Sequence, residues 1–142
     1  MLEGTFSDES GHYHAGTYFR NPEGFSHAPF SEEGCVILVK LHQFAGNDDQ
    51  HVCIDTDNQQ VLPLHDFGGE SVTLVRLPTG EQFQSRADVG GEEIYVISGE
   101  LIDETGRHPA GTWIRNPHKS RHDAHVEQDT VIWLKTGHLT AT

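Results

Sequence analysis

Residues 99–139, GELIDETGRHPAGTWIRNPHKSRHDAHVEQDTVIWLKTGHL, align without a gap, at an offset of 95, with residues 4–44, GTFSDESGHYHAGTYFRNPEGFSHAPFSEEGCVILVKLHQF. A repeat of this length organises the whole chain. Gly4, Asp8, Glu9, Gly11, Ala15, Gly16, Thr17, Arg20, Asn21, Pro22 and His27 recur as Gly99, Asp103, Glu104, Gly106, Ala110, Gly111, Thr112, Arg115, Asn116, Pro117 and His122. Most of these are turn residues. Asp8–Gly11 and Asp103–Gly106 each read as a hairpin turn ending in glycine. Gly16 and Gly111 precede short strands, Thr17–Arg20 and Thr112–Arg115, which Asn21-Pro22 and Asn116-Pro117 stop, because proline donates no ladder hydrogen bond. Cys35–Leu41 and Thr130–Leu134 then read as apolar, β-branched strands, with Cys35 buried.

Upstream of the second copy, Ser71–Leu77 alternates with period two, Pro78-Thr79-Gly80 turns, and Glu93–Ile97 is a further strand. Short strands divided by frequent turns mean a sandwich or barrel, and no helix is signalled. Residues 46–69 are polar enough to read as a linker, with a short strand at Val52–Ile54. The organisation expected is therefore a half-repeat over 1–45, a linker over 46–69 and a complete domain over 70–142.

Composition limits the function. The chain has 142 residues, enough for one ordinary or two very small domains, and 22 acidic against 9 basic residues give a formal charge of −13. Such a surface repels nucleic acid and anionic membrane. No apolar run approaches the roughly 20 residues of a membrane span, and Met1-Leu2-Glu3-Gly4 lacks signal-peptide character, so a cytoplasmic location is expected. Cys35 and Cys53 have no CxxC spacing, which argues against a zinc knuckle, and a reducing compartment disfavours their pairing.

The run GGEEIYVISGELIDETGRHPAGTWIRNPHKSRH resembles the cupin domain of ChrR-type anti-sigma factors, within the RmlC-like cupin superfamily. Its most specific piece, G-x-W/Y-x-R-N-P-x-x-x-x-H, is present twice. The resemblance implies an all-β cupin, a double-stranded β-helix or jelly-roll barrel, with one complete repeat and the C-terminal half of another in a bicupin arrangement. It also implies a metal site of the form H-x-H-x-x-x-E plus a later histidine. Carried over residue by residue, the glutamate falls on Glu92 and the last histidine on His122, while Arg86 and Asp88 stand where the two leading histidines belong. Asp88, Glu92 and His122 form a set suited to zinc, iron or manganese. Alternatively the Arg86 guanidinium pairs with Asp88 or Glu92 and replaces the metal. In the first repeat His27 occupies the ligand position.

The remaining candidates have plainer readings. His12 and His14 fit a solvated hairpin edge, and Asp8-Glu9 and Asp103-Glu104 fit solvated turns, since a calcium loop needs more oxygen ligands. His125 is expected at the pocket rim, Trp113 and Trp133 in the core, and His42, His51, His65, His108, His118 and His138 at the surface or strand edges. Neither a nucleophile elbow nor a phosphate loop is present. The expected function is a metal- or small-ligand-binding regulatory domain with a sigma-factor regulatory partner. The alternatives are a metal-dependent cupin dioxygenase and a non-catalytic structural cupin. Because the first repeat lacks its opening strands, its sheet edges need a cover, which predicts a homodimer.

Overall fold

The computed structural model describes residues 1–56, 59–87 and 89–139. The described residues contain strands, turns and loops and no helix. The chain divides into two compact units, Met1–Asn58 and Gln59–Thr142.

In the first unit, β1 (Glu3–Asp8) and β2 (Gly11–His14) form a hairpin closed by the Asp8–Gly11 turn, pairing Thr5 with His14 and Phe6 with Tyr13. The other edge of β1 meets β4 (Cys35–Val36). β3 (Thr17–Arg20) pairs with β5 (Val52–Asp55), so the strand expected at Val52–Ile54 is present and belongs to this unit. Phe6, Tyr13 and Phe19 pack ring against ring, with Tyr13 edge-on to Phe19 at 4.6 Å. Arg20 is buried, ion-paired with Asp48 and laid over the Phe44 ring at 3.9 Å.

The strand expected over Cys35–Leu41 is cut short. Only Cys35 and Val36 join a ladder, Cys35 is half-buried, and Val36, Ile37, Leu38, Val39 and Leu41 are exposed, Leu41 by 74%. Its repeat counterpart explains the difference. β14 (Thr130–Thr136) lies between β7 (Glu70–Leu77) and β9 (Glu92–Ser98), which supply its hydrogen bonds on both edges. The first unit has no such flanking strands among its described residues, and an apolar run without ladder partners cannot bury its side chains.

The second unit has two antiparallel sheets. Five strands run in the order β12 (Trp113–Asn116), β9, β14, β7 and β6 (Val61–Phe67). Four run in the order β11 (Gly106–Pro109), β10 (Glu100–Asp103), β13 (Ser120–His125) and β8 (Gln82–Ala87). β6 lies within the stretch 46–69 expected as linker and extends the larger sheet. The core draws on both sheets: Val75, Leu77, Ile94, Val96 and Ile132 from one, Phe83, Leu101 and Ala124 from the other. Ile94, Val96, Leu101 and Ile132 are fully buried, as period-two alternation requires of one strand face. Trp113, expected in the core, is 58% exposed on edge strand β12, because Ile114 takes the inward position.

Candidate functional site

The second unit buries a carboxylate–imidazole–carboxylate chain. Glu92 opens β9 and is 0% exposed; His122, on the inward-facing alternation of β13 with Ala124, is 3% exposed. Asn116 ends β12 directly opposite Glu92 in the ladder, and its amide donates to Glu92 Oε1 at 2.6 Å. His122 Nδ1 lies 3.2 Å from that same oxygen, without the alignment of a hydrogen bond, while Glu92 Oε2 has no partner. On its other side, His122 Nε2 lies 2.8 Å from Asp103 Oδ2. A carboxylate only accepts, so Nε2 carries a proton, and in the neutral form of the ring the lone pair falls on Nδ1. Phe83 packs edge-on against the ring.

Asp103 ends β10 and caps its own turn. Its Oδ1 accepts from the Thr105 amide at 2.7 Å, the Thr105 hydroxyl at 2.6 Å and His108 Nε2 at 2.9 Å. Burial pushes the Asp103 carboxyl up, but the hydrogen bonds from Thr105, His108 and His122 outweigh it and hold the group well below the usual carboxylate range. Glu92 is likewise lowered overall: burial raises it, and the adjacent His122, Ser85 and Asn116 side chains prevail. His122 is raised, chiefly by Glu92, against burial and with help from Asp103.

The first unit repeats half of this arrangement. Asp8, the counterpart of Asp103, lies 3.0 Å from His27 Nδ1, and its Oδ1 accepts from the Ser10 amide at 2.8 Å and the Tyr13 hydroxyl at 3.3 Å. The His27 bond holds the Asp8 carboxyl below its ordinary value. Both aspartates are therefore buried supports for a histidine rather than solvated turn residues, while Glu9 and Glu104 remain exposed.

Of the expected site residues, Glu92 and His122 come together. Asp88 lies outside the described residues. Arg86 stands opposite Arg121 in the β8–β13 ladder, while Ser85 stands opposite His122. His125 is three residues from His122 and sits on the exposed face of β13, away from the buried imidazole. His27 is in the first unit with Asp8. Sequence reasoning missed Asp103, Asn116 and His108. The signal for Asp103 was present, because an aspartate and a histidine recur together at the same separation in both repeats. Other surface assignments change as well: His65 is buried, and His138 is largely buried with Nε2 2.6 Å from Glu93.

The residues present fit a divalent cation in part. Glu92 Oε2 and His122 Nδ1 are buried atoms without hydrogen bonds, and Asp103 supplies the outer hydrogen bond that orients a metal-binding imidazole. Among the described residues no three histidine, cysteine or carboxylate groups converge as a ready ligand set.

No curated protein matches the chain. Among solved structures, Rhodobacter sphaeroides SigE in complex with the anti-sigma ChrR aligns at 24% identity and TM-score 0.49, over 54% of this chain and 43% of that one. A cupin-like protein of unknown function from Ralstonia eutropha JMP134 aligns at 20% identity and TM-score 0.49, over 54% of this chain and 53% of that one. The chain thus spans about half the length of these two structures. A putative acetylacetone dioxygenase from Methylibium petroleiphilum PM1 aligns at 14% identity and TM-score 0.49, over 62% of each chain. The family model described as the ChrR cupin-like domain matches residues 1–45 and 53–140, taking in both copies of the repeat, and the chain belongs to that family.

Proposed function

We propose that this chain is a regulatory cupin of the cytoplasm, whose second unit holds a divalent metal ion at Glu92 and His122 and whose partner is a sigma-factor regulatory system. The observation that carries the metal reading is the pair of buried atoms without a hydrogen bond, Glu92 Oε2 and His122 Nδ1. Charge supports it. Two buried carboxylates beside a neutral imidazole leave two negative charges, which a divalent ion offsets; a protonated His122 offsets only one. Zinc suits the nitrogen and oxygen donors, as do iron and manganese.

Each residue has a separate task. Glu92 provides the carboxylate, held in place by Asn116; His122 provides a ring nitrogen; Asp103 keeps the Nε2 proton and so the tautomer. The metal, when bound, joins β9 to β13 and so cross-links the two sheets. Both donors are almost fully buried, which favours a held ion over turnover of an organic substrate. The sigma-factor partner rests on family membership, since the family takes its name from ChrR, an anti-sigma factor. The exposed run Val36–Leu41 further supports a homodimer, as each copy carries an apolar segment in need of a cover.

Thermal unfolding with and without metal tests the reading. Ligand at 100 times its dissociation constant stabilises by about 2.7 kcal/mol, which for a domain of this size raises Tm by roughly 10 °C or more. Zinc, iron or manganese is expected to produce this shift in the chelator-treated protein, and His122→Gln to abolish it. An unchanged Tm with all three ions contradicts the metal reading and leaves His122 as a buried imidazolium between two carboxylates.

A further inference from the structure

The first unit contains a cavity of about 130 Å³ lined by Phe6, Tyr13, Phe19 and Phe25 together with His27. None of these residues belongs to the Glu92–His122 site. The internal repeat shows how far this wall has diverged. At the same positions the second unit carries Leu101, His108, Ile114 and Ser120, none of them Phe, Tyr or Trp, while the aspartate and histidine are unchanged. Leu101 is wholly buried and Ile114 packs against the same core cluster, so two of these positions are filled core in the second unit.

The rings define what the space accepts. Phe25 stacks on His51 at 5.0 Å and meets His27 edge-on at 5.4 Å, and Phe6 lies 5.8 Å from His27. Flat aromatic walls favour a flat aromatic guest, in offset or edge contacts worth roughly 0.5–1.5 kcal/mol per pair beyond burial. Size limits the guest: an apolar cavity of about 150 Å³ accommodates benzene, so about 130 Å³ admits no more than a single six-membered ring. His27 is the polar group that orients it, beside Asp8, Ser10, Asn21, His51 and Cys53, which also line the space. With Nδ1 donating to Asp8, Nε2 is the position left on the ring to accept, and no hydrogen bond to it is made among the described residues. An acceptor at the wall selects a donor on the guest, and the chain's charge of −13 disfavours an anionic one.

We propose that the first unit is a binding site for a small phenol, with the ring held by Phe6, Phe19 and Phe25 and the hydroxyl donating to His27 Nε2. The proposal stands independently of metal in the second unit. The probe is phenol itself, titrated into the full chain and followed by saturation-transfer NMR and by the shifts of the Tyr13 and His27 resonances. Toluene lacks the hydroxyl and cyclohexanol lacks the flat ring; each is expected to bind at least tenfold more weakly. Phe25→Ala removes a partly exposed wall, and His27→Phe keeps a ring but removes the acceptor; each is expected to weaken phenol at least tenfold. Absence of phenol binding at millimolar concentration overturns the proposal, and so does equal binding of toluene or binding that survives both substitutions. If either variant fails to fold, the comparison of the three probes on the unaltered chain decides.

Discussion

Asp103 divides its work between its two oxygens: Oδ1 closes the β10–β11 turn through Thr105, and Oδ2 holds His122. Its stabilising contribution therefore depends on its being ionised. Its folded pKa lies below its unfolded value of about 3.9, so the stabilisation is present above that value and is lost as pH falls towards the folded pKa. His122 behaves in the opposite sense. Its pKa is raised, so its contribution is complete below the unfolded value of about 6.5 and is lost as pH rises through the folded value. Urea midpoints of the chelator-treated chain are expected to peak between these limits, and Asp103→Asn to flatten the acid side. An acid limb as steep in Asp103→Asn as in the parent chain contradicts the assignment. The same residue marks how far the sequence was readable. Glu92 and His122 came from the resemblance to the ChrR-type cupin domain, but acidic turn residues are ordinarily solvated, and only burial of the Asp103 side chain distinguishes a support from a turn cap.

Gly4 and Gly99, at the same place in the two copies of the repeat, sit where a side chain has no room. Gly99 joins β9 to β10 at φ +78°, and a Cβ there would lie 2.4 Å from the Asp129 carbonyl oxygen. Gly4 takes φ +73° with the same approach to the Gly34 carbonyl oxygen, which is the repeat counterpart of Asp129. Positive φ alone costs a residue with a side chain about 1 kcal/mol or more, and the backbone contact adds to it. Gly99→Ala is expected to lower unfolding stability by roughly 2 kcal/mol or more in chemical denaturation, and a change within 0.5 kcal/mol would show that the β9–β10 junction relaxes. Strand positions were legible wherever turns bounded an alternating run, as at β7, β9 and β12. The run Cys35–Leu41 was misread for a physical reason: its composition is that of a central strand, but strand formation needs neighbours that the sequence of the segment itself does not encode.

At the scale of the molecule, the two copies of one frame carry different interiors. The second unit closes around Glu92 and His122, while the first keeps an aromatic cavity and an apolar segment open to solvent. The homodimer reading predicts that light scattering gives twice the 15.8 kDa chain mass, and that Val39→Lys with Leu41→Lys gives the monomer. A monodisperse monomer of the unaltered chain contradicts it. The strand Val61–Phe67 was not visible beforehand and Val52–Asp55 only as a possible short strand, because both lie in a polar stretch whose pairing is set by distant strands, β7 and β3.

The central claim, a divalent ion held by Glu92 and His122, is tested most directly by elemental analysis of the purified chain beside a Glu92→Gln, His122→Gln variant, each dialysed against zinc, iron and manganese in turn. The account predicts close to one equivalent of one of these metals in the parent chain and its loss in the variant. No metal in the parent, or equal metal in both, would contradict it.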